Sequence, residues 1–264
     1  MTEIEGTKTF RASADEYDSF MGRYSRPLAS SFADYCVPPE ATSFLDVGCG
    51  PGALTERVVT LLGPDAVSAV DPTPGFVAAC KERNPGVDVR PAPAEELPFD
   101  TSRFDAAAAQ LVFHFVSDPE RGAAQMRRVV RPGGRVSAAV WDFAEGMEML
   151  RAFWDAALLL DPLAPDEARA MRFGRAGELT ELLVGAGLEH VDETTLTVSS
   201  DYRDFDELWN SFLHGIGPAG SYAVGRSSAQ RDQLREALAE RLGNPTGPFA
   251  LRAVARVARG LVPL

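Results

Sequence analysis

Three glycines follow an acidic residue in the stretch Asp46-Val47-Gly48-Cys49-Gly50-Pro51-Gly52. Glycine adopts left-handed backbone angles and has no Cβ, so a ligand can approach the main chain closely. The apolar run from Ser43 to Val47 predicts a buried strand before this turn, and the apolar spacing from Leu54 to Leu62 predicts a helix after it. A strand, a glycine-rich turn and a helix N-terminus form the usual layout of a nucleotide site.

The residues around the turn indicate which nucleotide is bound. Gly48, Gly50 and Ala53 satisfy a loose form of the dinucleotide fingerprint, which is a weak signal by itself. Asp46 places a carboxylate at the mouth of the turn, where it would repel a pyrophosphate and attract a sulfonium or ammonium group. Pro51 removes an N–H that a phosphate nest would use. A cationic ligand is therefore expected, and a nicotinamide oxidoreductase is the disfavoured alternative.

Asp71 is expected to bind the sugar of the nucleotide. It follows the predicted strand from Ala66 to Val70 and stands 21 positions after Gly50, a spacing at which a doubly wound sheet places an acid over a ribose diol. Structural alternatives exist for both acids. Asp71 would cap the helix that opens at Pro72-Thr73-Pro74, and Asp46 would accept hydrogen bonds from loop amides.

Further elements are predicted from the pattern of apolar residues. The run from Ala106 to Phe113 predicts a central parallel strand, whose carboxyl end is expected at Gln110 to Phe115. The other predicted elements are a helix in Asp15–Cys36, helices at 76–83, 119–130, 147–160 and 178–186, and strands at 87–90, 135–141, 190–199 and 249–257.

Four motifs occur in order between residues 15 and 142: Leu45 to Gly52, Val70-Asp71, Glu96-Leu97-Pro98-Phe99 with Phe104-Asp105, and Arg128 to Gly134. Their order and spacing resemble those of the class I S-adenosylmethionine-dependent methyltransferases, and four ordered motifs are more specific than any one of them. Within that superfamily the sequence is most similar to the small-molecule branch with a methyltransferase type 11-like domain. This branch includes the ubiquinone and menaquinone C-methyltransferases.

The resemblance implies a doubly wound α/β fold. Its seven-stranded, mostly parallel sheet has an antiparallel last strand, and N-terminal helices and a helical lid accompany it. The expected organisation is an N-terminal helical segment at residues 1–36, a Rossmann-like cofactor-binding core at 37–142, and a C-terminal part at 143–264. The C-terminal part would complete the sheet and carry the lid at about residues 204–244.

The resemblance also implies S-adenosylmethionine as the cofactor and indicates which residues hold it. In the family, helices before the first strand close over the cofactor, and the loop after the third strand holds the adenine ring. This chain has Pro93 where that loop usually has an aspartate, so adenine recognition would rest on Ala94 and Glu95. The residues expected to contact the cofactor are Asp46, Gly48, Cys49, Gly50, Asp71, Pro72, Ala94, Glu95, Gln110, Tyr17 and Arg26.

His114 is the candidate general base, because it is one of three histidines and imidazole titrates near neutral pH. The alternative is a histidine packed among Phe113, Phe115 and Val116 with its ring bonded to the backbone. Four aromatic residues are expected to line the acceptor pocket, with simple packing on the sheet as the alternative. They are Tyr24, Trp141, Trp209 and Tyr222.

Two motifs that would indicate other chemistry are missing from the sequence. The fourth strand does not end in the Asn/Asp-Pro-Pro-Tyr/Phe sequence of enzymes that methylate adenine or glutamine nitrogen. The acidic cluster that binds magnesium in catechol-type relatives is missing too, so no metal is expected.

Composition limits the remaining classes of function. A chain of 264 residues with 45% hydrophobic residues is long enough for one substantial core. The net charge of −12 disfavours a nucleic-acid partner. Cys36, Cys49 and Cys80 are widely spaced, which suits a reducing compartment. The sequence has no signal-peptide pattern and no apolar run of about 18 residues. A cytoplasmic protein that does not bind membranes is expected, and it is a possible homodimer.

These features predict a methyltransferase that acts on a small organic acceptor. Because a fold does not fix a reaction, two alternatives stay open. One is a protein that binds S-adenosylmethionine but catalyses another reaction, such as a cyclisation. The other is a non-catalytic cofactor-binding partner of another subunit.

Overall fold

Seven strands form one sheet in the order β3-β2-β1-β4-β5-β7-β6. The structure is a computed structural model that describes residues 17–264, so the polar stretch at residues 1–14 lies outside the described residues. Strand β7 runs antiparallel to both of its neighbours, and the remaining pairs are parallel. This confirms the predicted fold class. The strands are β1 (Phe44–Val47), β2 (Val67–Asp71), β3 (Asp88–Pro91), β4 (Phe104–Gln110), β5 (Val130–Trp141), β6 (Glu189–Tyr202) and β7 (Phe249–Leu261).

Helices cover both faces of the sheet. A π-helical turn at Asp18–Gly22 leads into the first α-helix, and a 3₁₀ turn at Pro64–Ala66 precedes β2. The α-helices of the described part are α1 (Arg23–Cys36), α2 (Ala53–Leu62), α3 (Pro74–Arg83), α4 (Pro119–Val129), α5 (Glu148–Leu160), α6 (Glu167–Ala170), α7 (Glu178–Gly185), α8 (Phe205–Phe212), α9 (Gly217–Val224) and α10 (Ser228–Arg241).

Local sequence sets where several helices begin. Asp118 caps α4 by accepting the N–H of Arg121 at 2.9 Å. Asp204 caps α8 by accepting the N–H of Glu207 at 2.8 Å. Ser227 and Gln230 form a reciprocal capping box at the start of α10. Each side chain satisfies an amide that the first turn of a helix leaves without an intrahelical partner.

The sheet separates two hydrophobic cores. Strand β4 lies between β1 and β5, and its alanines alternate between the cores, with Ala106 and Ala108 on one side and Ala107 and Ala109 on the other. One core includes residues of α1, α2, α5 and α8–α10, and the other includes residues of α4 and α7. Burial on both faces explains why this central strand is apolar without alternation.

Strand β4 is shorter than predicted. It ends at Gln110, and Leu111 has a left-handed backbone with φ +64°. The N–H of Leu111 still donates to the carbonyl of Ala139 at 2.7 Å, after which the chain turns. The strand therefore stops three residues before the end of the apolar run at Phe113, at the first residue of the stretch where its carboxyl end was expected. The apolar residues after Gln110 are buried in the turn, and their apolar character does not indicate extended backbone.

The segment from Asp204 to Asn244 is helical, as predicted, and consists of α8, α9 and α10. Its aromatic residues Phe205, Trp209 and Phe212 are buried in the core. Among residues 17–264, none of the helices is both long and apolar enough to span a membrane.

Candidate active site

The glycine-rich turn between β1 and α2 uses its own amides internally. The N–H groups of Gly48 and Cys49 both donate to the carbonyl of Val70, at 2.8 and 2.9 Å, and that of Gly52 donates to Cys49 at 2.9 Å. Pro51 has no N–H to offer. These contacts fasten the turn to the end of β2 and leave those amides engaged within the protein.

The remaining amide of the turn binds Asp71, the acid at the end of β2. Gly50 N–H donates to Asp71 Oδ2 at 2.9 Å, and Thr73 N–H donates to Oδ1 at 2.8 Å. Burial raises the pKa of Asp71, while the Thr73 and Gly50 amides counteract this rise. Asp71 therefore holds one backbone amide on each side of it and does not cap the following helix, whose N-cap residue is Thr73. Each of its oxygens also keeps lone-pair capacity for a second donor, such as a ribose hydroxyl.

Gly50 presents an open side to the site. Its φ is +53°, and a Cβ added there would meet nothing within 4 Å. At Gly52, by contrast, φ is +100° and a Cβ would lie 2.6 Å from Asn84 Nδ2. Gly52 is therefore required by packing, whereas the Cβ position of Gly50, which binds Asp71 through its amide, is open.

Asp46 does not lie at the mouth of the turn. Its side chain is buried beneath the turn, and Oδ2 accepts the hydroxyl of Thr55 at 2.6 Å, while Oδ1 has no hydrogen-bond partner among the described residues. Burial raises the pKa of Asp46 to about 7. The predicted repulsion of a pyrophosphate needs an ionised carboxylate facing the ligand, and this buried, partly protonated group does not supply one. The engaged amides of the turn provide a different reason why a diphosphate would not be cradled here.

Tyr17 and Gln110 lie with Asp71 at the carboxyl edge of the sheet. The hydroxyl of Tyr17 is hydrogen-bonded to Ser25, and its pKa is raised by burial and then by the carboxylates of Asp71 and Asp18. Gln110 Nε2 donates to the carbonyl of Ser25 at 3.1 Å, and its Oε1 is buried without a hydrogen-bond donor among the described residues. The structure thus brings these predicted cofactor residues together.

The predicted adenine loop is held by its own acid. Glu95 Oε1 accepts the N–H groups of Ser117 and Asp118 at 3.0 and 3.2 Å, and Arg121 donates to the Glu95 carbonyl at 2.9 Å. Ala94 is buried. The Glu95 carboxylate therefore connects this loop to the start of α4.

The other predicted cofactor residues differ in their surroundings. Arg26, which was expected to contact the cofactor, is paired with Asp18 and Glu56, each at 3.1 Å. Cys49 is buried in the core, whereas Pro72 is exposed after β2.

An apolar cavity opens at the carboxyl ends of β4 and β5. Its walls come from three parts of the chain: the strand ends with the turns that follow them, the N-terminal π-helical turn, and the α8–α9 corner. The lining residues are Leu111, His114, Phe115, Trp141 and Phe143 from the first part, Tyr17, Phe20 and Met21 from the second, Ile216, Gly217 and Pro218 from the third, and Glu167. Tyr17 thus belongs to this cavity and to the surroundings of Asp71.

His114 lines the cavity, but both of its ring nitrogens are occupied. Nδ1 lies 2.8 Å from the carbonyl of Arg172, to which it donates, and Nε2 accepts the N–H of Trp141 at 2.9 Å. Burial lowers the pKa of His114 to about 4. The nitrogen that would accept a proton is already engaged by a backbone amide. The geometry therefore favours the packed histidine over the general base.

Of the four predicted pocket aromatics, Trp141 lines the cavity. Tyr24 is fully buried, and its hydroxyl lies 3.0 Å from that of Tyr202. Trp209 lies in the core, and Tyr222 lines a separate polar cleft where its hydroxyl donates to Asp161 at 3.2 Å. These three side chains pack away from the cavity, which matches the alternative of aromatics that support the sheet and its helices.

Glu167 is a cavity residue that the sequence did not indicate. It is buried, and its Oε2 accepts the indole N–H of Trp154 at 2.8 Å. Burial raises its pKa to about 7; the indole contact counteracts the rise and the charge of Asp166 adds to it. The sequence around it, Pro165-Asp166-Glu167-Ala168-Arg169, reads as an ordinary solvated helix start. No local signal distinguishes Glu167 from the exposed acids of the chain.

Within residues 17–264, no group of three or more His, Cys, Asp or Glu side chains is arranged to hold a metal ion. The site is thus defined by the glycine turn, Asp71 and the neighbouring apolar cavity.

The sheet order and the position of this site define a class of protein. Residues 45–138 match the family described as a methyltransferase domain. A putative methyltransferase from Bacillus halodurans has the same fold, with a TM-score of 0.57 and 13% identity over 90% of this chain and 99% of that one. A phosphoethanolamine N-methyltransferase from Haemonchus contortus, solved with S-adenosylmethionine, has a TM-score of 0.59 and 13% identity over 100% of this chain and 60% of that one.

Residues 45–138 form a methyltransferase domain, and the sheet order around it is that of the class I S-adenosylmethionine-dependent methyltransferases that the four motifs resemble. An uncharacterised methyltransferase of Mycobacterium tuberculosis is 36% identical over 129 residues. That alignment covers 48% of this chain and 51% of the mycobacterial protein, so the chain spans about half the length of this relative.

Proposed function

We propose that the chain transfers a methyl group from S-adenosylmethionine to a small organic acceptor. The observation that carries the proposal is the apolar cavity, which shares Tyr17 with the surroundings of Asp71 at the carboxyl edge of the sheet. Ligands of open α/β sheets bind at this edge. A cofactor held at the glycine turn would have its reactive end directed to a cavity where an apolar molecule is out of water.

The residues of the chain would position the cofactor without a phosphate nest. Asp71 is held by two backbone amides and can accept the hydroxyls of a ribose. Gly50 leaves space for the sugar, and the engaged amides of the turn suit a nucleoside without a diphosphate. The cofactor, when bound, supplies an electrophilic methyl group.

Methyl transfer needs contact between the two reactants and exclusion of water. The cavity side chains from Phe20, Trp141 and Phe143 supply apolar walls for the acceptor. Holding two reactants in a productive geometry contributes up to about 7–11 kcal/mol in well-oriented cases. No covalent intermediate on the protein is required.

Replacement of Asp71 tests the cofactor site. We expect Asp71→Ala to weaken binding of S-adenosylhomocysteine by a factor of ten or more in isothermal titration calorimetry. The variant loses the acceptor proposed for the ribose and frees the amides of Gly50 and Thr73. An unchanged affinity in a folded variant would remove Asp71 from the site.

Gly50→Ala tests the same site without removing a charge. Its new methyl group would project into the free space beside Asp71, so we expect at least tenfold weaker binding of S-adenosylhomocysteine. The backbone penalty at positive φ is about 1 kcal/mol. Gly177→Ala is the matched control, because Gly177 has φ +88°, also has open space at its Cβ, and begins α7 away from the site. Equal loss of binding in both variants would point to general destabilisation.

The acceptor class and the reaction need a separate measurement. Methyl-labelled S-adenosylmethionine incubated with the protein and a cell extract should yield a labelled small molecule and S-adenosylhomocysteine. Binding without consumption of the methyl group would favour a cyclase-like or non-catalytic role instead. The similarity to ubiquinone and menaquinone C-methyltransferases, the cytoplasmic location and the homodimer remain predictions.

A further inference from the structure

We propose that Glu167 is the general base of methyl transfer and that the acceptor is a neutral, ring-bearing molecule with a weakly acidic hydroxyl group, a phenol or an enol. The inference rests on the proposed function, because it names the substrate class of the same cavity.

The position of Glu167 is the first observation. Its side chain is 5% exposed and lines a cavity whose walls are otherwise mainly aromatic and aliphatic. Trp154 donates to Oε2 at 2.8 Å, whereas Oε1 has no hydrogen-bond donor among the described residues. One oxygen is therefore held in place by a rigid indole, and the other is available to a molecule in the cavity.

The other titratable groups of the cavity do not compete for this role. His114 has both ring nitrogens engaged by the backbone. The pKa of the Tyr17 hydroxyl is raised above its ordinary value, so this group keeps its proton at neutral pH. Among the described residues that line the cavity, Glu167 is the one carboxylate.

The charged neighbours of Glu167 lie outside the cavity. Asp166 adjoins it in sequence and is held by Arg151 at 3.1 Å, with Arg169 at 3.9 Å. Arg151 also pairs with Asp155 on α5 at 2.8 Å. Burial raises the pKa of Glu167 to about 7, against the indole contact and with a smaller contribution from Asp166. A base that titrates near the working pH is suited to proton transfer.

The charge balance of the cavity favours a neutral hydroxyl over an ammonium acceptor. A sulfonium and one carboxylate sum to zero, so a neutral acceptor adds no charge to an apolar space. An ammonium acceptor would leave one positive charge without compensation, which is costly away from water. With a hydroxyl acceptor, the sulfonium and the Glu167 carboxylate both become neutral during the reaction.

The step balances as follows. The ionised Glu167 takes the hydroxyl proton, and an oxygen lone pair forms the new bond to the methyl carbon. The carbon–sulfur bond breaks, and its electron pair stays on sulfur. The products are a methyl ether, S-adenosylhomocysteine and a protonated Glu167, which returns its proton to solvent when the products leave.

A fluorescence titration tests the base without any ligand. Because the indole of Trp154 is bonded to Glu167, ionisation of Glu167 should change tryptophan fluorescence with a midpoint near pH 7. We expect Glu167→Gln to lose this transition, since the glutamine still accepts the indole N–H but does not titrate. Glu181→Gln, which replaces an exposed acid on α7, is the matched control and should keep the transition. Persistence of the transition in Glu167→Gln would overturn the assignment of the titrating group.

Matched acceptors test the substrate class. With methyl-labelled S-adenosylmethionine, we expect transfer to phenol, catechol, naphthol or hydroxycoumarin, and none to benzylamine or phenethylamine, which are ammonium ions near neutral pH, or to anisole, which has no hydroxyl proton. Glu167→Gln should lower kcat/KM for the hydroxyl compounds by about 100-fold or more and abolish the rise of kcat/KM with pH near 7. For nitrophenol, which is already ionised near neutral pH, Glu167→Gln should lower kcat/KM by a smaller factor. Transfer to the amines alone, or to none of the hydroxyl compounds, would overturn the substrate class.

Trp154→Phe provides a second variant that keeps the carboxylate. Loss of the indole N–H removes a contact that lowers the pKa of Glu167, so the rise of kcat/KM should move to higher pH.

The proposed function and the assignment of Glu167 fail in different experiments. Without binding of S-adenosylhomocysteine and without label transfer, the proposed function fails. With both present and Glu167→Gln as active as the Glu181→Gln control, the assignment of Glu167 alone is wrong.

Discussion

Two buried carboxyl groups, Asp46 and Glu167, have a pKa raised to about 7, and burial is the main cause in both. Their surroundings give them different uses. Asp46 lies beneath the glycine turn and binds the hydroxyl of Thr55. Glu167 lines the apolar cavity at the ends of β4 and β5. A raised pKa therefore marks a functional candidate only when the group also faces space that a substrate can occupy.

The stability of the chain should depend on the ionisation of Glu167. Because the folded-state pKa lies above its ordinary value, the protonated group contributes its full stability below about pH 4, and this contribution is lost as the pH rises through about 7. Glu167→Gln does not undergo this loss. We expect its advantage in free energy of unfolding over the wild type to grow by about 2–3 kcal/mol between pH 5 and pH 8.5.

Urea unfolding at the two pH values measures this effect. Asp46 is common to both proteins, so its own titration cancels in the comparison. Glu181→Gln, which removes an exposed acid, should show the same pH dependence as the wild type. If the difference in free energy of unfolding between Glu167→Gln and the wild type were the same at both pH values, Glu167 would be ionised over the whole range.

His114 should matter for stability more than for proton transfer. His114→Phe would leave the buried N–H of Trp141 and the carbonyl of Arg172 without their partner. We expect a loss of about 2 kcal/mol or more in free energy of unfolding. His114→Gln, whose amide can donate and accept, should recover part of it. If His114→Phe folded normally but lost methyl transfer, the histidine would have a chemical role after all.

At the scale of elements, the short helix α6 presents Glu167 to the cavity. Asp166 caps this helix by accepting the N–H of Ala168 at 3.0 Å, and it is held by Arg151 from α5. The segment between α5 and α7 therefore has a fixed conformation although it contains little regular structure. This conformation carries the carboxylate to the ends of β4 and β5.

The capping acid should also tune the base. Asp166→Asn keeps the cap but removes the negative charge that raises the pKa of Glu167. We expect the midpoint of the tryptophan fluorescence titration to fall by up to about one pH unit. Arg151 retains Asp155 as a partner, which limits structural damage in the variant. A midpoint at or above the wild-type value would contradict the electrostatic coupling of the two acids.

At the scale of the whole molecule, distant parts of the chain meet over the cavity. Phe20 in the N-terminal turn contacts Phe212 of α8 with ring centroids 5.6 Å apart, and the Ser19 hydroxyl lies 3.1 Å from His214. Arg23 at the start of α1 pairs with Glu207 of α8 at 2.7 Å. The N-terminal turn is therefore joined to α8, and the turn and the segment after α8 both contribute residues to the cavity wall.

A double-mutant cycle measures the contact between Phe20 of the N-terminal turn and Phe212 of α8. We expect Phe20→Ala and Phe212→Ala each to destabilise the chain, with a coupling free energy of about 0.5–1.5 kcal/mol from the edge-to-face ring pair. Chemical denaturation of the two single variants and the double variant supplies the values. Phe153→Ala is a useful comparison, because it contacts Phe212 from α5 rather than from the N-terminal turn. If the losses of stability in Phe20→Ala and Phe212→Ala simply added in the double variant, the N-terminal turn and α8 would be energetically independent.

Much of the fold follows from local patterns in the sequence. The strand, glycine turn and helix around Gly50 and the acid at the end of β2 were predictable from the period of apolar residues and a short motif. The seven-stranded sheet with its antiparallel last strand was implied by the family resemblance. The extent of β4 was not predictable, since Leu111 leaves the strand in a left-handed conformation that an apolar run does not reveal.

The chemistry of the cavity was decided by tertiary structure. His114 changed from a candidate base to a packed residue through contacts with Arg172 and Trp141, which lie 58 and 27 positions away in sequence. Glu167 gained its role in the same way, from the cavity around it and the indole of Trp154. The sequence determined the strand, glycine turn and helix around Gly50 and, through its ordered motifs, the kind of fold, because those depend on near neighbours. The protonation and accessibility of each acid depend on burial by distant segments, which only the folded chain defines.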